Sequence, residues 1–429
     1  MASVVEAVDL SGEGPVRPAS SQMFLRAAVL VTVGIFSTSM GQDALLGRLP
    51  LQNLLKNALH EGRSATAAFF LLTGLPWYFK PLAGILTDAF PIFGSRRKVY
   101  LLAGASLGVA AWMLIWITPR AYQPLLWVIT LNSTCIMLAS TAVGAVLVET
   151  AHATNGSGRL TALRYLVQYS CSIAAAIAGG YLATIDFKWT AASCAAAVFL
   201  IIPVAAVLLR EKRVSPNAAE VLEGAAHQFR QLVTAGSMWA AGGLIALFYI
   251  APGMTTALFF KQQTELHMLP PAQGFLTMIT AASAIAGTLT YAVACRYIRL
   301  RYLLMICLGT ATLTTMGYLF YSSVLNAQII EVIHGFGAAI ATLALVDLAT
   351  RATPRGSEGL GYALMISITN ITRFGTDFLG SLLLDKWRLP FGDLVLANAG
   401  TTLIAVPLVL LLPLALVNRR ESEAADDAV

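Results

Sequence analysis

Twelve apolar runs, each close to the length of a bilayer-crossing helix, follow one another with short polar breaks, and nothing else in the sequence constrains the fold so tightly. They lie near residues 24–46, 64–87, 99–118, 123–150, 160–183 and 188–209. After a polar stretch come 235–260, 270–294, 301–322, 325–350, 359–384 and 390–417. A hydrocarbon layer about 30 Å thick takes about 20 residues of helix. A β-barrel would show short alternating segments, whereas continuous apolar runs satisfy their backbone hydrogen bonds in lipid only as helices. Composition points the same way: 12% of the residues are charged, where a soluble domain carries roughly a quarter. Residues 1–23 hold Glu6, Asp9 and Glu13 with no basic start, so they read as a cytoplasmic leader and not as a secretory signal.

The halves read as repeats. Glu149 near the end of the fourth run precedes a turn with Gly158 and Arg159; Asp347, at the matching point of the tenth, precedes one with Arg355 and Gly356. The second–third loop carries Arg96, Arg97 and Lys98, and the eighth–ninth carries Arg296, Arg299 and Arg301. Gly41 before Leu45-Leu46 is echoed by Gly253 before Leu258-Phe259. The expected fold class is an all-α membrane protein whose twelve transmembrane helices form two pseudo-symmetric six-helix bundles, with a site at mid-depth between them. The expected boundaries are a leader 1–23, bundles 24–209 and 235–417, a linker 210–234 and a tail 418–429. The linker stripe Val221, Leu222, Ala225, Phe229, Leu232 and Val233 suits a helix lying on the inner membrane surface. Lys and Arg favour the loops that share a side with both termini, which sets that side as cytoplasmic in a multi-pass plasma-membrane protein. Arg48, Lys56 and Arg63 fall to the first outer loop.

Ionisable groups inside a span face the bundle interior, pair, or line a solute path. Lys80 lies about 12 Å deep in the second span, counting 1.5 Å per residue. It suits a substrate carboxylate, or a structural bond to a carbonyl or acid. Arg373 has Asp377 one turn on, a spacing that pairs the two on one face; the pair is structural, or opens for an anion or a proton. Asp43, beside Gln42, is a candidate proton carrier or a helix-end acid in outer water. Glu331 and His334 share a face, and a His suits a proton relay, though the two could only stitch helices. Arg164 and Gln168, one turn apart, suit either latch or substrate site. Trp77, Tyr78, Tyr165 and Tyr169 can stack on a flat heterocycle or simply pack. Pro252-Gly253 should kink the seventh helix, with 250–258 as an outer gate. Asp88, Arg96, Arg97, Glu149, Asp347 and Arg355 lie at cytoplasmic helix ends, where such charges can lock the halves in an outward-open state.

The stretch Gly74 to Tyr100 ends an apolar run at Asp88, turns through Phe90-Pro91-Ile92-Phe93-Gly94 and passes three cations. Its string WYFKPLAGILTDAFPIFGSRRKVYL resembles the signature of the folate–biopterin transporter family, a branch of the major facilitator superfamily. A second resemblance spans Thr353 to Glu358, then Tyr362-Ala363-Leu364 and Ser367-Ile368-Thr369-Asn370, matching a Pro, a Gly and a Glu that open the eleventh helix and an Asn further in. The resemblance implies a secondary transporter taking up an anionic folate or pterin with protons, working as a single chain. It adds Asn370 to Lys80, Trp77, Gln168 and Arg373 as substrate contacts, and likens the helix-end charges to the superfamily's gates. Family members often carry two further acids in the fourth helix, but Ser140 to Glu149 keeps only Glu149. A different organic anion, peptide-like or a cell-wall metabolite, imported or exported, is therefore the alternative; a membrane-embedded enzyme or sensor is the alternative of another class. The chain shows no GxxxxGK[ST], HExxH or CxxC, and its five Cys sit in apolar runs as small hydrophobes. No cofactor, metal or nucleic-acid partner is expected.

Overall fold

The computed structural model describes residues 18–154, 157–209, 211, 218–353 and 358–418. The first crossing runs as α1 (Pro18–Met40), an open stretch, α2 (Arg48–Asn53) and a π-helical turn (Leu54–Ala58). The second returns as α3 (Arg63–Thr73), α4 (Leu75–Tyr78) and α5 (Lys80–Ala89). Then come α6 (Lys98–Leu114), α7 (Tyr122–Thr154), α8 (Ser157–Leu182) and the pair α9 (Phe187–Phe199) and α10 (Ile201–Leu208). A connecting helix α11 (Ala218–Thr234) leads to the seventh crossing, α12 (Gly236–Tyr249) and α13 (Thr255–Thr264). The chain closes with α14 (Pro270–Tyr297), α15 (Leu300–Met316), α16 (Val324–Ala352), α17 (Glu358–Lys386), α18 (Phe391–Leu408) and α19 (Leu414–Val417).

Six crossings are single helices or nearly straight pairs, long and apolar enough to span a bilayer on those grounds alone. The others have identifiable reasons to fall short. The first, second and seventh are interrupted, the fifth and eleventh carry charges, and α6 is a shorter apolar helix. Large apolar side chains point outward, with Trp127 69% and Ile117 80% exposed, the burden of a surface whose solvent is lipid. Inside, Phe69, Phe70, Trp112 and Ile136 knit the first six crossings into one apolar cluster. Leu304, Leu308, Leu345 and Val409 anchor a second in the last six, and Leu276, Tyr318, Tyr321 and Leu394 a third.

Both glycine-marked breaks are secured from within their own half. The Gly41 carbonyl accepts from Trp112 Nε1 (2.9 Å) and Asn132 Nδ2 (3.2 Å). The Pro252 carbonyl accepts from Asn398 Nδ2 at 2.8 Å, and Gly253 N–H donates to Thr376 O at 2.9 Å. A backbone group freed by a helix break in lipid needs such a partner. Gly253 is required by proximity, since a Cβ there would lie 2.6 Å from the Asp377 nitrogen.

The halves meet along two helix pairings. α8 packs on α14, and the segmented second crossing packs on α17. Gly180 and Gly274 bring the first pair into backbone contact; a Cβ on Gly274 would stand 2.4 Å from Ala176 O. α11 lies across the ends of α5 and α17, with Leu232 buried and Leu222, Phe229 and Val233 exposed. It is bent 73° from α12.

Candidate functional site

Two breaks in the second crossing, at Gly74 and Phe79, put Lys80 at the first turn of α5 with Pro81 behind it. Its ammonium donates to Ser140 Oγ at 2.9 Å and lies 5.1 Å from the centre of the Trp77 ring. A hydroxyl and a ring face soften a cation without neutralising it, and no carboxylate pairs with Lys80 among the described residues. Arg164 of α8 is near enough for the two positive charges to act on each other. Arg164, Tyr165, Gln168 and Tyr169 share an arc of about 140° at roughly 100° per residue. Tyr165 and Tyr169 stack, with centroids 6.2 Å apart and planes at 27°. Tyr169 OH lies 3.5 Å from Thr288 Oγ1 of α14, so this face looks across to the second half.

The second half answers with α17, where Asn370, Arg373, Phe374 and Asp377 fall at i, i+3, i+4 and i+7 on one face. Phe374 meets Tyr78 at 6.4 Å, fixing that face against the second crossing. Arg373 is exposed and Asn370 half-buried. The expected Arg373–Asp377 pair does not form among the described residues. Asp377, 3% exposed, accepts from Thr256 N (2.9 Å) and Thr256 Oγ1 (2.6 Å), and lies 3.8 Å from Arg48 Nη2. The i,i+4 spacing offered a partner, but α13 begins at Thr255 beside Asp377, and orphan N–H groups at a helix start draw a carboxylate strongly.

Arg48 corrects the sequence reading, which places it in an outer loop. The helix resumes after Gly47 and runs to Ala58, burying Leu51, Leu54 and Leu55 and carrying Arg48 into the bundle. There it stacks on Phe70 at 4.9 Å and reaches Asp377 of the other half. The apolar spacing beyond Arg48 was the signal that could have found it. Asp43, 3% exposed, does not reach outer water; it accepts from Ser133 Oγ (2.9 Å) and Thr73 Oγ1 (3.0 Å).

Glu331, 7% exposed, accepts from Thr280 Oγ1 at 2.7 Å and Tyr321 OH at 3.3 Å. His334 does not bond it. Its ring meets Tyr318 at 4.9 Å, and its Nδ1 is buried without a partner.

The helix-end charges pair within their own halves. Arg97 Nη2 meets Asp88 (2.5 Å) and Glu149 (3.0 Å). Arg351 meets Asp347 at 2.8 Å, and Tyr291 OH donates to the same acid at 3.0 Å. Arg96 makes no ion pair among the described residues, and Arg355 lies outside them. Glu211, absent from the sequence reading, accepts from Arg97 N (2.9 Å) and Lys98 N (3.0 Å) at the start of α6. The ion pairs between described residues that do cross the halves, Arg48–Asp377 and Arg63–Asp385 (2.9 Å), lie toward the end remote from the Arg97 loop. Ser64 N and Asp385 Oδ2 join them at 2.8 Å.

Known proteins share both the sequence pattern and the fold. The sequence model described as the BT1 family matches residues 41–427. A protein of Synechocystis sp. called folate-biopterin transporter is 27% identical, covering 91% of this chain and 84% of its own. Probable folate-biopterin transporter 5 of Arabidopsis thaliana is 25% identical over 86% of this chain and 79% of its own. Folate transporter 1 of Plasmodium falciparum is 23% identical over 79% and 69%. Among solved structures, a D-xylose-proton symporter superposes with a TM-score of 0.68 over 92% of this chain and 98% of its own, at 12% identity. A point mutant of the nucleoside transporter NupG gives 0.65 over 91% and 99%, also at 12%. These two likenesses show the fold alone.

Proposed function

The chain belongs to the BT1 family and is a multi-pass membrane transporter of major facilitator fold, and from that premise we propose that it moves an anionic folate or pterin by alternating access, coupled to protons. The observation that carries the reading is the seam at mid-depth. Lys80, Arg164 and Arg373 face it from three helices without ion-pair partners among the described residues, beside a stacked tyrosine pair. Unpaired cations suit a carboxylate or an acidic heterocycle, and aromatic faces suit a flat ring. The relatives' names supply the substrate; the enzyme alternative has no support from them. Both termini are read as cytoplasmic, the Arg97 loop with them, and the unit as one chain in the plasma membrane.

Coupling fits Glu331 better than Asp377. A carboxylate that takes and releases a proton must not be held permanently charged by a cation. Asp377 lies near Arg48 and holds a backbone N–H, whereas no Lys or Arg pairs with Glu331 among the described residues.

The test is counterflow in proteoliposomes with labelled folate, pterins and unrelated organic anions. Folate or pterin exchange is expected, and Lys80→Gln should cut it about tenfold or more, the worth of one charge-assisted hydrogen bond. Exchange of an unrelated anion with none of folate or pterin would remove the substrate and keep the transporter. Glu331→Gln should abolish accumulation driven by a pH gradient yet leave counterflow intact.

A further inference from the structure

Glu331 is the terminus of a hydrogen-bond chain in which each donor from Gln263 to Tyr321 points toward it, while Gln263 also donates the other way, to Asn53. Asn53 of α2 belongs to the first half and touches the second through Gln263 of α13, whose Nε2 donates to Asn53 Oδ1 (3.2 Å) and to Gln273 Oε1 (3.3 Å). Gln273 Nε2 donates to Gln262 Oε1 (3.1 Å), Gln262 Nε2 to Tyr321 OH (2.8 Å), and Tyr321 OH to Glu331 Oε1 (3.3 Å). Asn57 Nδ2 reinforces the contact between halves through Asn53 Oδ1 (2.6 Å) and Gln263 Oε1 (3.4 Å). Tyr318 and Tyr321 also line an open pocket of about 460 Å³, with the Lys261–Glu265 ion pair on its wall, which brings water close to the end of the chain.

We propose that this amide relay ties the protonation state of Glu331 to the closure of the halves at Asn53 and Gln263. A carboxylate at one end orients each amide in turn, and bonds aligned toward a charge strengthen one another. A protonated Glu331 has to donate its own hydrogen. If Tyr321 accepts it, the tyrosine O–H turns to Gln262 Oε1, and each amide beyond must flip, ending with Gln263, whose hold on Asn53 is lost. The groups around Glu331 that carry or exchange charge are Tyr318 and Tyr321 beside it, His334 one turn on, and Lys261 with Glu265 at the pocket; α14 contributes only Thr280. A charged Glu331 therefore favours the closed contact, and a neutral one favours its opening.

The inference rests on the proton-coupled reading for its purpose, but its test needs no solute. Nitroxides on Ala58→Cys and Thr264→Cys of the full chain report the separation at this end, the five native cysteines being buried. Pulsed spin-resonance distances are expected to show an open-to-closed ratio that rises about tenfold from alkaline to mildly acidic pH, within the usual range of coupling between sites. Glu331→Gln should fix that ratio at its acidic value. Tyr321→Phe and Gln273→Leu should keep the infrared carboxyl band that Glu331→Gln removes, and its titration, while the distances stop following pH. Distances that track pH in both relay variants, or that never respond in the parent, overturn the proposal. A protein that exchanges folate yet shows either result has lost the relay and kept its function.

Discussion

Asp377 holds the backbone and hydroxyl of Thr256 and stands within reach of Arg48, so one carboxylate starts a helix and bridges two halves. Removing it should cost stability before it costs transport. Asp377→Ala is expected to destabilise by about 1–2 kcal/mol, the loss of a cap. Asp377→Asn keeps an acceptor and should cost less, with thermal melting of purified protein as the check. Equal melting of the two variants would mean the cap carries no weight. Sequence spacing suggested Arg373 as the partner because only residues on the same helix can be counted that way. The competitor was a helix start well over a hundred positions earlier in the chain. Lys80 was legible for the opposite reason: an ammonium flanked by apolar neighbours stands out, although its bond to Ser140 did not.

Among elements, the helix breaks were written in glycine and proline, and the seventh crossing does divide at Pro252-Gly253. The first was harder to read, because Gln42, Asp43 and Arg48 after Gly41 look like a helix end, whereas the helix resumes with Arg48 aboard. The α8–α14 pairing depends on absent side chains. Gly274→Val would drive a branched side chain into the Ala176 carbonyl, which is backbone and cannot rotate aside. The expected result is a shift toward separation at the end remote from Arg97, seen as longer spin-label distances there, with secondary structure unchanged. Unaltered distances would show that this seam can yield locally. Gly224, with open space around it in α11, is the matching control.

For the whole molecule, contacts between halves gather toward one end while the charges at the other pair inside their own bundle. Bridging Arg63→Cys and Asp385→Cys with a short, reducible thiol cross-linker should stop flux without preventing solute binding, and reduction should restore it. Flux through the cross-linked protein would mean that this end need not open. The count of crossings was readable because lipid demands helices of a set length. The state of the assembly was not, since identical charges can pair within a half or between halves, and only geometry decides.

The carbonyls at Gly41 and Pro252 are answered by Trp112, Asn132 and Asn398, each from the same bundle. A swing of one bundle against the other therefore strands no peptide group in oil. Those two bends travel with their bundles like the crook of a walking stick, so any movement is left to the sliding surfaces between them.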